Sequence, residues 1–201
     1  MNVITYFSPL LKEPALKDDL PTIIRVRKFD EPAAKEFTTL MMRAQNTGQP
    51  VVPVIIDSYG GQVYSLMSMI SDIRHSKAPV ATIVQGKAMS CGAILFSFGS
   101  EGHRYMDRDS TIMIHDVSSM NWGKIEEIKA GAEETERLNQ KVYQMMAENC
   151  GQHKDYFLDI IHEKGHADWF LDADEAKKHN VANHLHVPEL KIETKVNFKF
   201  K

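Results

Sequence analysis

Short, almost continuous apolar runs alternate along this chain with longer stretches whose apolar residues recur every three or four positions. Thr22-Ile23-Ile24-Arg25-Val26-Arg27 reads as a short strand with partial alternation. Asp30-Glu31-Pro32 has the chemistry of a helix start, with a capping aspartate, a first-turn proline and acid at the positive end. Phe37, Leu40, Met41 and Ala44 then share one helical face, and residues 46–50 stop the helix. Residues 51–57 are nearly all apolar, as in a strand covered on both faces of a parallel sheet, although Pro53 counts against the first half. After Gly60-Gly61, residues Val63, Leu66, Met67, Ile70 and Ile73 predict a second helix.

The alternation continues downstream. A strand is expected over 80–85, a helix at about 91–99, a short strand over 103–106 and another over 111–115, which ends in His115. Residues 124–149 form a helical pattern long enough to project, with Ile125, Ile128, Ala132, Leu138, Val142 and Met145 as its stripe. Cys150-Gly151 ends it. A further helix is expected at about 153–164, a short one from the capping box Asp172-Ala173-Asp174-Glu175 to Asn180, and a last strand over 181–187. Residues 1–20 read as an irregular arm, 21–187 as one domain, and 188–201 as a lysine-rich tail, either an edge strand or loose.

Strand-helix-strand alternation implies an α/β fold with right-handed parallel crossovers. Sites in such sheets gather beyond the carboxyl ends of the strands. Gly60-Gly61, Ser90 and His115 all stand at such ends.

Composition narrows the function classes. A net charge of −3 gives no electrostatic case for nucleic acid or an anionic membrane. No 18-residue apolar run is present, and the first residues lack a basic segment followed by an apolar one. The two cysteines, Cys91 and Cys150, have no spacing that suggests zinc and suit a reducing, cytoplasmic setting. No metal or cofactor is expected.

The candidate chemistry centres on residues 86–93, Gly-Lys-Ala-Met-Ser-Cys-Gly-Ala, where a strand gives way to a helix. Ser90 there is either a helix cap or a nucleophile beside backbone N–H donors, and the window by itself favours the cap. His115 is the histidine that ends a strong strand on the same rim, where it serves either as a base or as a satisfied core histidine. Asp116 is a poor orienter for it, because adjacent strand residues point to opposite faces. Asp168, just before Trp169-Phe170-Leu171, is a better candidate, but on pattern alone an ordinary loop carboxylate stays ahead.

Taken together, Gly60-Gly61, Gly86-x-Ala88-x-Ser90-x-Gly92-Ala93, Met113-Ile114-His115 and Asp168-x-Phe170-Leu171 resemble the Clp protease proteolytic subunit. The resemblance spans about residues 51–187. It implies a crotonase-like α/β spiral with a protruding helical handle, for which 124–149 is the segment. It also implies a Ser90, His115, Asp168 triad, with Asp159 and Asp172 as fallbacks for the acid, and an oxyanion hole made by the backbone N–H groups of Gly61 and Cys91. Further implications are polypeptide substrates, a homo-oligomer of heptameric rings enclosing a chamber, and an AAA+ ATPase that feeds it. Competing readings are a catalytically idle ring subunit acting as scaffold, and a CoA-thioester enzyme on the same scaffold.

Overall fold

The computed structural model describes residues 21–191. The arm expected over 1–20 and the tail from 192 onward lie outside the described residues. Strand β1 (Ile24–Val26), helix α1 (Glu31–Asn46), strand β2 (Val52–Ser58), helix α2 (Val63–Arg74) and strand β3 (Val80–Met89) follow the anticipated alternation. Helix α3 (Cys91–Ser97), strands β4 (Arg104–Met106) and β5 (Thr111–Ile114), helices α4 (Ile125–Asn149) and α5 (Tyr156–Glu163), strand β6 (Trp169–Leu171) and helix α6 (Ala173–Lys178) come after them.

The sheet runs β1-β2-β3-β5-β6, with β4 also on β3. Its pairs are parallel except β5 with β6. β2 is buried along nearly its whole length, which explains its unbroken apolar sequence. Pro53 does not interrupt it. The Val52 N–H donates to Pro79 O on the β3 side, so by alternation the proline nitrogen faces the β1 side, where pairing begins only at Val54. Asp30 caps α1 by accepting the Ala33 N–H at 2.8 Å, a contact worth about 1 kcal/mol.

β3 serves two partners in succession. Thr82–Val84 pair with β4 and Lys87–Met89 with β5. Gly86, at φ +93, lies between these stretches, and the register against β2 shifts between Ile56 and Ser58. The second half of β3 therefore runs beside β5, and Ser90 N–H donates to Met113 O at 2.8 Å. Helix α3 is buried at every residue, so the segment after Ser90 is anchored in the core.

Two expectations are corrected. Residues 181–187 form no strand. Asn180 turns the chain at φ +56, and Arg104 donates Nε to Val181 O and Nη2 to Asn180 O. Besides these Arg104 contacts, the ladder to β4 is limited to an isolated bridge, Tyr105 with His184. Conversely, Trp169–Leu171, which carried no expected element, is β6.

α4 divides into two halves. Its buried residues begin at Leu138, and the preceding turns leave Ile125 and Ile128 exposed. The segment after β5 lies along that outer half. Thr135 Oγ1 donates to Ser119 Oγ at 2.7 Å, and a side chain at Gly131 would collide with Asn121. Tyr64 of α2 donates to Glu134 at 2.6 Å. Among the described residues, no helix is long and apolar enough to cross a membrane.

Candidate active site

Ser90 occupies the cap position of α3 without acting as a cap. Its φ of +55 and ψ of −120 lie outside the extended geometry of an N-cap, and its side chain makes no capping hydrogen bond. A non-glycine residue held at positive φ costs of order 1–3 kcal/mol and persists only where its surroundings impose it. Here β3 pairs with β5 on one side and buried α3 follows on the other.

The Gly60-Gly61 turn closes over this serine. A Cβ at Gly60 would lie 2.8 Å from Ser90 Cβ and 2.9 Å from Met89 O, so only hydrogen fits. A side chain at Gly61 would collide with the Phe29 carbonyl. Ser58 Oγ accepts the Gly60 N–H at 3.1 Å. Lys87 braces the turn from β3, pairing with Asp57 at 2.6 Å and lying 4.4 Å from the centre of the Tyr59 ring.

Cys91 adds a link that sequence reasoning missed. Its thiol donates to Gly61 O at 3.2 Å, joining the two segments expected to supply the oxyanion donors. Burial pushes the thiol up to about 11, so it remains a protonated donor at neutral pH. Its backbone N–H lies in the first turn of α3, where helices leave donors without an intrahelical partner.

Gly61, Ser90, Cys91 and His115 line one cavity of about 50 Å³, walled by apolar side chains including Val63, Leu66 and Ile114. A larger groove of about 780 Å³, lined by Arg74, Phe98, Arg104 and Glu148 among others, contains neither Ser90 nor His115.

Asp168 is brought to His115 by β6. Ile112, Met113 and Ile114 pair with Leu171, Phe170 and Trp169. One more step of this register sets His115 opposite Asp168. His115 Nδ1 and Asp168 Oδ1 are 3.9 Å apart, an ion-pair distance about 1 Å beyond an N–H···O hydrogen bond. The fallback Asp172 is occupied as the cap of α6, accepting the Glu175 N–H at 2.8 Å, and Asp159 lies within α5.

Asp116 is engaged by other partners than His115. Its Oδ1 accepts Asn139 Nδ2 at 2.9 Å, and its Oδ2 accepts His166 Nδ1 at 2.6 Å. Burial pushes this carboxyl up, but hydrogen bonds from Asn139 and His166 outweigh that and hold it below its ordinary value. No spacing rule could have found this cluster, whose members come from three separate parts of the chain.

The sequence model of a family described as Clp protease matches residues 19–188.

Proposed function

Because the chain belongs to the Clp protease family, we propose that it is a serine endopeptidase whose nucleophile is Ser90. The observation that carries this reading is the strained, uncapped Ser90 in one cavity with His115 and Gly61. His115 takes the Ser90 proton as Oγ attacks a peptide carbonyl, and the N–H groups of Gly61 and Cys91 receive the oxyanion. His115 then returns the proton to the leaving amine, giving an acyl-enzyme. Water, deprotonated by His115, releases the carboxylic acid and restores Ser90. Asp168 orients His115 after closing the remaining ~1 Å, as hydrogen bonds that are long at rest do when substrate binds.

The working particle is an assembly of copies of this chain, as one or two heptameric rings around a chamber, supplied with unfolded polypeptide by an AAA+ ATPase. Met120 and Trp122, 96% and 97% exposed, and Ile125 are large apolar side chains left open at the outer half of α4, which supports contact with a second copy. The 3.9 Å separation of His115 from Asp168 favours a second reading, an idle ring subunit.

A fluorophosphonate probe separates the two. The assembled protein is expected to be labelled at Ser90, and Ser90→Ala to lose labelling completely. An assembled wild type that stays unlabelled overturns the endopeptidase reading in favour of the scaffold.

A further inference from the structure

Two histidine–carboxylate pairs cross between the same two strand ends. His115 faces Asp168, and its neighbour Asp116 holds His166, two residues before Asp168. The second pair is much shorter, 2.6 Å against 3.9 Å. It belongs to a longer chain of hydrogen bonds: Val117 N–H donates to Asn139 Oδ1 at 2.9 Å, and Asn139 Nδ2 to Asp116. Asn139 is among the buried residues of α4, so Asp116 is fixed from behind by the long helix and reaches forward to the loop that carries Asp168.

That loop is built to present His166. Helix α5 ends with the Gly165 N–H donating to His162 O at 3.0 Å and the His166 N–H to Ile161 O at 2.9 Å. This is the paired reversal of a Schellman end. Gly165 and His166 both have positive φ, +65 and +62. Glycine takes that conformation freely, whereas histidine adopts it against its preference. The Asp116 contact holds His166 there, and Asp168 follows two residues on, its side chain 54% exposed and 3.9 Å from His115.

We propose that Asp116 and His166 are positioning residues for the proteolytic reaction, a clasp that fixes the Asp168 loop against β5 so that Asp168 can orient His115. The inference rests on the serine-endopeptidase reading and adds to it a link from the core-packed half of α4, through Asn139, to the acid of the triad.

The test uses the assembled full-length protein, a fluorogenic peptide and the fluorophosphonate probe. His166→Gly removes the side chain without a backbone penalty, since glycine accepts positive φ. His166→Asn places an amide donor at the same δ position and also tolerates that conformation. His166→Gly is expected to lower kcat about tenfold at unchanged KM, since a misplacement of ~1 Å costs up to about a hundredfold. His166→Asn should recover most of the loss. In an Asp168→Ala background, His166→Gly should cause no further fall in the labelling rate, because its route of action is gone.

Wild-type kcat in His166→Gly, an asparagine variant no better than the glycine one, or an additive fall in the Asp168→Ala background would each overturn the clasp. Wild-type protein inert to probe and peptide would instead remove the endopeptidase reading itself, and the clasp with it.

Discussion

At the residue scale, the site depends on places where only one side chain, or none, is tolerated. Gly60 is such a place, with φ +102 and no room for a Cβ against Ser90. Gly60→Ala is expected to cut the fluorophosphonate labelling rate at least about tenfold, by displacing the serine or the turn. It should leave the far-ultraviolet circular dichroism unchanged. The cysteines make a second prediction. Burial pushes Cys91 up to about 11 and Cys150 up to about 12, and both side chains are buried. Iodoacetamide at pH 8 should modify neither thiol in native protein and both in denaturant, as read by intact mass. Ser90 shows the limit of sequence at this scale. The motif placed it at a strand-to-helix junction, but its positive φ comes from β3 and β5 meeting there, a long-range fact that no local window contains.

At the element scale, the strands buried on both faces were the plainest to read, and the half-covered β1, β4 and β5 were legible too. β2 and the first half of β3 are almost continuously apolar because neighbouring elements cover nearly all of them. β6, three residues long like β1 and β4, was missed because it exists by antiparallel pairing with β5, a long-range contact that its own residues do not record. The apolar alternation of 181–187 misled in the opposite direction. Val181 and Ala182 are buried, but the backbone carbonyls of Asn180 and Val181 are taken by Arg104.

β6 can be tested through Trp169. Its ring is 3% exposed, meets His179 edge-on at 4.9 Å, and its N–H donates to Glu175 Oε1 at 3.2 Å. Trp169→Ala should cost about 3–5 kcal/mol in urea unfolding, and slow Ser90 labelling by loosening Asp168. His179, which closes α6 and bonds the Tyr156 hydroxyl at 2.7 Å, is held below its ordinary 6.5 chiefly by burial. The unfolded chain therefore takes up this proton first. The stabilisation is complete above pH 6.5 and is lost as pH falls from there toward the folded value. Urea midpoints compared at pH 8 and pH 5.5 should fall further for wild type than for His179→Gln.

At the scale of the whole molecule, the sheet is a frame that carries three strand ends to one rim. Gly61 follows β2, Ser90 follows β3 and His115 follows β5, while the antiparallel return of β6 supplies Asp168. Much of this convergence was visible from strand order alone, whereas the crossing of the two histidine–carboxylate pairs was not. The open apolar side chains near α4 belong to this scale too. Trp122 and Trp169 are the two tryptophans, one open and one enclosed. Covering Trp122 with a second copy should shift its emission to the blue on assembly. The shift should persist in Trp169→Phe and vanish in Trp122→Phe. Sedimentation should give a particle far above the 22.8 kDa of one chain.

The division of α4 has a consequence for how the protein breathes. Residues 125–137 extend the helix about 20 Å at 1.5 Å per residue, and the buried positions of α4 begin only at Leu138. A helical stretch of this length without a core of its own is marginal in water. Its amide protons should therefore exchange with deuterium orders of magnitude faster than those of Leu138–Asn149 in a dispersed protomer, and slow sharply when copies associate. The outer half of the helix would then serve as a built-in gauge of assembly, reporting the neighbour's arrival before any peptide is cut.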